Sequence, residues 1–196
     1  MSETVVWPLR LARESDVPAL EALIPLSVRA LQAPYYSSAQ MDAALGPVFG
    51  VDRQIIRDGT YFVAERDGAI VGCGGWSRRR SLYGGESGRE HEDGVLDPQR
   101  DAARVRAFFV HPAWSRRGIG RSIMGACERA IVEAGFRTVE ILATLAGEPL
   151  YLSFGYGVVE RCNIAMVRGL TLPVVRLTKT MERGASSPMR TPMSGS

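Results

Sequence analysis

Apolar residues near the start of the chain recur at the three- and four-residue spacing that is typical of an amphipathic helix. Asp16 can cap such a helix and Pro18 suits its first turn, so the helix is predicted to begin there. A short strand is predicted before it, at residues 9–13, and a weaker helix after it, at 37–45. The apolar face of the first helix consists of Leu20, Leu23, Ile24, Val28 and Leu31.

The pattern then changes to that of strands. Two apolar runs, 61–64 and 69–73, flank Arg66-Asp67-Gly68, and Asp-Gly between such runs indicates a β-hairpin. Residues 77–102 interrupt the rhythm with mixed charges, several glycines and little periodicity. A loop of this length inside a compact domain is usually functional or mobile. It is interpreted either as a solvated insertion between strands or as a lid that faces the substrate.

Regular patterning returns in the second half of the chain. An apolar run at 105–110 predicts a strand, and a helix follows whose apolar stripe includes Ile119, Ile123, Cys127 and Ile131 and which ends at Gly135. Beyond it we predict strands at 137–144, 158–167 and 174–181 and a short helix at 148–154. This mixture of strands and helices predicts an α/β protein.

Length and composition limit the choice of architecture. The chain has 196 residues, of which 45% are hydrophobic, and this favours one folded domain, predicted at 1–183. The end of the chain, 184–196, is rich in Gly, Ser and Pro and is predicted to be a flexible tail. Since no apolar run could span a bilayer and residues 1–10 do not resemble a signal peptide, we expect a cytoplasmic protein without a membrane partner.

Charge and cysteine content exclude further classes. Lys and Arg number 24 and Asp and Glu 21, a net charge of +3, and no basic run is interleaved with aromatic residues, so no nucleic-acid partner is expected. The three cysteines, Cys73, Cys127 and Cys162, form no CxxC pair and are interpreted as small buried residues. The two histidines, His91 and His111, are far apart and show no metal-ligand spacing, so no metal is expected.

The most informative segment is Arg116-Arg117-Gly118-Ile119-Gly120-Arg121, which lies between a predicted strand and a predicted helix. Its glycines allow a tight turn, and its main-chain N–H groups then meet the positive end of the helix dipole. The arginines add positive charge, so the segment is predicted to bind a phosphate or pyrophosphate. It is neither a Walker A loop, because no Lys follows the glycines, nor a dinucleotide fingerprint, because Ile123 stands where the third Gly is needed.

Two motifs in order resemble the GNAT superfamily of N-acetyltransferases. The acyl-CoA motif of that family, Arg/Gln-x-x-Gly-x-Gly/Ala, corresponds here to Ser115-Arg116-Arg117-Gly118-Ile119-Gly120. The family's aromatic turn, Phe/Leu-Tyr-x-x-x-Gly-Phe/Tyr, appears downstream as Leu150-Tyr151-Leu152-Ser153-Phe154-Gly155-Tyr156. The resemblance extends from about Leu9 to Met181 and implies a mixed, mostly antiparallel central sheet flanked by helices, splayed between its fourth and fifth strands.

The resemblance also assigns roles to individual residues. It implies acetyl-CoA as cosubstrate, bound by Phe108, Phe109 and Val110 of the splayed strand and, at the pyrophosphate, by Arg116, Arg117, Gly118, Ile119, Gly120, Arg121 and Ser122. A backbone N–H near Phe108 or Val110 would stabilise the oxyanion that forms from the thioester. Tyr151 stands where many members carry the general acid that protonates the leaving thiolate; the structural alternative is a packed aromatic residue.

Two positions depart from the family pattern. Ser115 occupies the first motif position, where Arg or Gln is usual, and Arg104 stands where some protein-acetylating members place a catalytic Glu. No general base can therefore be assigned; Glu140, Glu160, His111 and a relay of ordered water remain as candidates.

These features predict direct transfer of an acetyl group to a primary amine in a ternary complex, with no covalent nucleophile. The alternative is a non-catalytic acyl-CoA-binding or interaction domain of the same fold. The sequence does not identify the amine, and a homodimer is possible on general grounds.

Overall fold

The computed structural model describes residues 7–84 and 94–181. Within them, seven strands form one sheet in the order β1-β2-β3-β4-β5-β7-β6. The strands are β1 (Leu9–Leu11), β2 (Tyr61–Arg66), β3 (Ala69–Ser77), β4 (Ala103–Val110), β5 (Thr138–Thr144), β6 (Gly157–Ala165) and β7 (Thr171–Thr180). Neighbouring strands are antiparallel except for β4 and β5, which are parallel. The predicted fold class, a mostly antiparallel sheet with helices, is confirmed.

Helices cover both faces of this sheet. In the described residues they are α1 (Val17–Leu31), α2 (Ser38–Ala44), α3 (Arg53–Arg57), α4 (Ile119–Glu133) and α5 (Glu148–Ser153). One hydrophobic cluster joins α4 and Tyr151 of α5 to one face of the sheet, and a second joins α1, α2 and α3 to the other. The predicted apolar stripe of α4 is buried, and that of α1 is buried except for Leu31, which is half-buried.

Several element boundaries differ from the predictions, and each difference has a local cause. The first strand ends at Leu11 and not at residue 13, as predicted. The helix α3 was not predicted, because five residues are too few to show a helical period. The last strand begins at Thr171, before Pro173, although proline is disfavoured inside sheets. The pairing of β7 with β5 ends at Val174, so Pro173 has a neighbouring strand only on the β6 side. The missing N–H of Pro173 therefore costs no hydrogen bond to β5.

The sheet opens between β4 and β5. These strands pair only from Ala103 to Val105, opposite Val139 to Ile141. Immediately beyond, Ala107 has a positive φ of 61°, a rare conformation for a residue with a side chain. The Tyr61 hydroxyl, buried in the core, donates to the Ala107 carbonyl at 2.9 Å and supports this bulge. The second half of β4 therefore turns away from β5.

Other sequence predictions are answered only in part. The two ends of the 77–102 loop pack on the protein, since Arg79 forms a β-bridge with Val95 and Leu96 is buried. Residues 85–93 of this loop and the predicted tail at 184–196 lie outside the described residues. Cys73 and Cys127 are buried as predicted, whereas Cys162 is half-buried on β6. No described helix has the length and hydrophobicity to cross a bilayer. The described residues also contain no cluster of His, Cys, Asp or Glu that could hold a metal ion.

Candidate active site

A cavity of about 560 Å³ passes through the sheet at the opening between β4 and β5. One side is lined by the start of α4 and by α5, including Gly120 and Tyr151. The other side is lined by the end of α1 and by apolar residues of the opposite face, including Phe49 and Leu142. The cavity thus gives two ligands access to one point from opposite faces of the sheet.

The loop before α4 has the geometry of an anion site. Arg116 (φ 61°) and Gly118 (φ 87°) both have left-handed backbone conformations. Alternation of left-handed residues with ordinary ones turns successive N–H groups towards one point. The N–H groups of residues 116–121 make no hydrogen bond within the described part of the chain. The N–H of Ser122 is different, because it donates to the Gly118 carbonyl at 2.9 Å as the first helical bond. The donors available to an anion therefore end at Arg121.

The three arginines of this loop are exposed, and two of them lie over aromatic rings. The Arg117 guanidinium lies 4.8 Å from the centre of the Trp114 ring, and that of Arg121 lies 5.3 Å from the Phe154 ring. Arg121 also donates to Ser153 Oγ at 3.2 Å and so links α4 to α5. Arg116 and Arg121 line the cavity, whereas Arg117 does not.

Trp7 supports the loop from outside the cavity, a role that the sequence did not reveal. Its Nε1–H donates to the Arg117 carbonyl at 2.7 Å, and its main-chain N–H donates to Ser122 Oγ at 3.1 Å. Its ring also packs edge-on against Trp114. Trp7 is more than a hundred positions from these partners, so no local pattern could have indicated it.

Trp7→Phe should weaken CoA binding about five-fold, because loss of the Nε1–H bond, worth about 1 kcal/mol, loosens the loop that presents the N–H groups. Calorimetric titration with CoA measures this change. Trp76→Phe is the matched control, because Trp76 belongs to the same hydrophobic cluster but packs against Phe136. Equal CoA affinities for the two variants would contradict the supporting role.

Tyr151 lies at the centre of the opening. Its ring packs edge-on between Phe108, with centroids 6.0 Å apart, and Tyr156, at 6.3 Å. The side chain is buried but lines the cavity. Burial raises the pKa of Tyr151 well above its ordinary value, and the nearby Cys127 raises it further. The phenol is therefore held in its protonated form, which a general acid requires.

Successive side chains in the splayed part of β4 point to opposite faces of the sheet. The Phe108 ring packs against Tyr151. It fits beside Gly74 because that residue has no side chain; a Cβ on Gly74 would lie 2.6 Å from the Phe108 ring. Phe109 packs on the opposite face against Phe49. The N–H of Val110 donates to Ser27 Oγ at 3.1 Å. The Val110 N–H is therefore already engaged within the chain.

The predicted cofactor residues are therefore mostly brought together. Those that line the cavity are Phe108, Phe109, Val110, Arg116, Gly118, Ile119, Gly120 and Arg121, with Tyr151 as the predicted acid. Arg117 and Ser122 lie beside it without lining it, and Ser115, at the departing motif position, does line it.

The side chains considered as general bases are used elsewhere. Glu140 forms ion pairs with Arg104, its register partner on β4, and with Arg176 at 3.0 Å. Glu160 pairs with Arg176 at 2.8 Å. His111 Nδ1 accepts the N–H of Ala113 at 3.2 Å and caps a short 3₁₀ turn. These contacts give each of the three a structural role outside the cavity lining.

The far side of the cavity contains polar residues that the sequence did not indicate. Gln32 Nε2 donates to Thr144 Oγ1 at 3.2 Å, and both residues line the cavity. The Tyr36 hydroxyl donates to the Pro173 carbonyl and accepts the N–H of Leu145, which joins the end of α1 to β5 and β7. These contacts span more than a hundred positions and have no periodic signature.

Comparison with known proteins agrees with this geometry. The profile of the GNAT acetyltransferase domain matches residues 57–158. None of the curated protein sequences matches the chain. A GCN5-related N-acetyltransferase structure from Rhodopseudomonas palustris has a TM-score of 0.69 at 19% identity, covering 92% of this chain and 99% of its own.

Two further structures contain a bound ligand. The PaiA N-acetyltransferase of Thermoplasma acidophilum, in complex with coenzyme A, has a TM-score of 0.60 at 11% identity and covers 90% of this chain and 99% of its own. A GNAT family acetyltransferase of Brucella melitensis, in complex with acetyl-CoA, has a TM-score of 0.54 at 15% identity and covers 90% and 88%. At these identities the structures establish a shared fold. The match over more than half of the chain shows that the protein belongs to the GNAT acetyltransferase family.

Proposed function

We propose that the protein transfers an acetyl group from acetyl-CoA to a primary amine by direct attack in a ternary complex. The observation that carries this proposal is the cavity through the opened sheet, which joins the N–H loop before α4, the Tyr151 side chain and an apolar chamber on the opposite face. The order of these three parts corresponds to a pyrophosphate site, a reaction centre and an acceptor site. Bound CoA or acetyl-CoA in two structures of the same fold supports the choice of donor.

The residues present fit a CoA pyrophosphate. Six successive main-chain N–H groups, at residues 116–121, face no partner in the described chain. A Cβ at Gly120 would lie 3.2 Å from Leu150, closer than most Cβ contacts, so a residue without a side chain keeps this part of the cavity wall uncrowded. Because this grip depends on the backbone, the serine at position 115 is compatible with it. Arg116 and Arg121 would add positive charge at the mouth of the site.

Acetyl-CoA supplies a thioester whose C–S bond breaks as a C–N bond to the amine forms. The N–H of Phe108 would stabilise the negative charge that develops on the carbonyl oxygen. Tyr151 would give its proton to the departing thiolate and recover one from solvent, while the amine nitrogen loses its proton to water. The raised pKa keeps the Tyr151 phenol protonated near neutral pH, and it also makes the phenol a weaker acid, so proton transfer to the thiolate would depend on close alignment with the sulfur.

The cysteines support direct transfer rather than an acetyl-cysteine intermediate. Cys73 and Cys127 are both buried, and burial raises the pKa of the Cys73 thiol to about 12 and that of Cys127 further above its ordinary value. Thiols of this kind are poor nucleophiles near neutral pH. The amine would therefore attack the thioester itself.

A non-catalytic acyl-CoA-binding domain is the second candidate. It is favoured by the ion pairs that engage Glu140 and Glu160 and by the capping role of His111, since these leave the three predicted bases with structural tasks. The cavity on the acceptor side favours the enzyme, because a binding domain needs no chamber beyond the thioester.

Calorimetric titration with CoA and acetyl-CoA, followed by an assay of thiol release with a panel of amines, tests both candidates. We expect micromolar binding of both nucleotides and amine-dependent release of CoA. Binding without release for any amine would favour the non-catalytic domain. Failure to bind at millimolar CoA would contradict both.

A further inference from the structure

The acceptor side of the cavity is mainly apolar. Its walls come from the connection between α2 and α3 and from the strands β5, β6 and β7, and they include Val48, Phe49, Leu142, Ile164, Leu172 and Val174. Phe49, Leu172 and Val174 are almost completely buried, so these walls belong to the packed core and are not flexible surface groups. A chamber of this composition favours a compact apolar body over one that carries several polar groups.

The environment disfavours a positively charged acceptor. Removing an ammonium group from water into apolar surroundings is unfavourable, and it lowers the pKa of any amine that binds there. The charged side chains among the described lining residues are the arginines Arg106, Arg116 and Arg121, so no carboxylate among these residues can pair with a cation. Arg106 itself pairs with Asp52, which is buried behind the cavity lining.

Gln32 is one of the polar residues on this side of the cavity, together with Ser27 and Thr144. The amide oxygen of Gln32 is buried and accepts no hydrogen bond within the described part of the chain. Its amide nitrogen donates to Thr144 Oγ1, which also accepts the Gly147 N–H at 3.2 Å, so the side chain is held in place. This oxygen has less than 1 Å² of accessible surface, so a small rotation of the side chain would have to expose it before a ligand N–H could supply the missing bond.

Gln32 is close to the reaction centre through Thr144. A Cβ on Gly147 would lie 3.4 Å from Thr144 Oγ1 and 3.3 Å from Cε2 of Tyr151, so the space of one methyl group separates the threonine from the tyrosine ring. An amine that donates to Gln32 can therefore direct its nitrogen towards a thioester beside Tyr151.

We propose that the acceptor is a weakly basic amine on a compact apolar body, such as an aromatic amine, which enters as the neutral free base and donates an N–H to Gln32. This inference rests on the proposed acetyl transfer and specifies its substrate class. An aromatic amine is neutral at physiological pH, so it enters the chamber without loss of a proton. Its free lone pair can attack the thioester without a protein base.

Aniline and cyclohexylamine test the charge requirement, because both carry an amino group directly on a six-membered ring but differ greatly in basicity. At pH 7 we expect kcat/KM for aniline to exceed that for cyclohexylamine and spermidine by at least about tenfold. The value for cyclohexylamine should rise about tenfold per pH unit with its free-base fraction, while that for aniline stays flat. A preference for cyclohexylamine or spermidine at pH 7, or equal pH profiles, would overturn the inference.

Variants at position 32 test the hydrogen bond. Gln32→Met keeps the length of the side chain and should raise KM for aniline about tenfold while leaving the KM and Kd of acetyl-CoA unchanged. Gln54→Met is the matched control, because Gln54 bonds to Asp58 away from the cavity lining. Gln32→Glu adds a negative charge and should shift preference towards cyclohexylamine. Unchanged aniline KM in Gln32→Met would remove Gln32 from the proposal.

The outcomes separate the substrate class from the function. Thiol release only with cationic amines overturns the substrate class and leaves acetyl transfer standing. Acetyl-CoA binding with no release for any amine overturns both, and it does so in the wild-type protein without dependence on the folding of a variant.

Discussion

Gly120→Glu should abolish binding of both CoA and acetyl-CoA, with an increase in Kd of at least about 100-fold. A carboxylate at this position can accept the N–H groups of residues 116–121 itself and so occupy the donors that an incoming pyrophosphate needs. The added side chain also starts 3.2 Å from Leu150, in the space between α4 and α5. Calorimetric titration of the purified variant gives the Kd directly.

Gly125→Glu is the matched control for this variant. It introduces the same residue into the same helix, and its Cβ would meet only the Arg129 guanidinium, at 3.5 Å. We expect this substitution to change the Kd of CoA by less than about threefold. Equal CoA affinity in Gly120→Glu and in the wild-type protein would show that the nucleotide binds elsewhere.

Tyr151→Phe should lower kcat by about 100-fold and leave the Kd of acetyl-CoA nearly unchanged, because only the proton donor is lost while the ring still packs against Phe108 and Tyr156. Steady-state kinetics of thiol release together with calorimetry separate these two quantities. A variant with normal kcat would leave Tyr151 as a packing residue.

Tyr156→Phe is the control for Tyr151. Tyr156 belongs to the same aromatic cluster, but its hydroxyl lies beside Glu128 and the residue does not line the cavity. Its removal should leave kcat unaffected.

The pH dependence follows from the direction of the shift in the pKa of Tyr151. Burial raises that pKa, so the acid form persists above the ordinary value of about 10. Loss of the Tyr151 proton should therefore not limit kcat between about pH 6 and pH 9.

Much of the fold could be predicted because its signals are local. Leu20 and Val28 of α1 and Ile123 and Ile131 of α4 are fully buried, as their helical spacing indicates. The hairpin at Arg66-Asp67-Gly68 and the turn before α4 depend on the conformational freedom of a few adjacent residues, and both lie where the sequence predicts them. The loop of N–H groups was predictable for the same reason, since Gly118 and Gly120 stand at a strand-to-helix junction.

The parts that the sequence did not reveal depend on distant pairs. α3 is too short to show a period, and Pro173 is tolerated in β7 only because β5 ends beside it. Trp7 supports the anion loop from 110 positions away, and the registration of β4 against β5 determines that Glu140 meets Arg104. In each case the controlling contact joins elements whose relative placement results from packing.

The sequence by itself therefore determined the order of the strands and of the helices other than α3, the family, the strand-to-helix loop before α4 and the position of Tyr151, because each depends on dihedral preferences and side-chain spacing within a few residues. Only the tertiary structure decided how far β4 separates from β5, which carboxylates are engaged in ion pairs, and what lines the acceptor chamber. Gln32 and Thr144 are 112 positions apart, and they become neighbours only when α1 packs across β3 and β4 and its end reaches the last residue of β5. Contacts between such distant residues produce no local pattern in the sequence, because they depend on how the helices pack on the completed sheet.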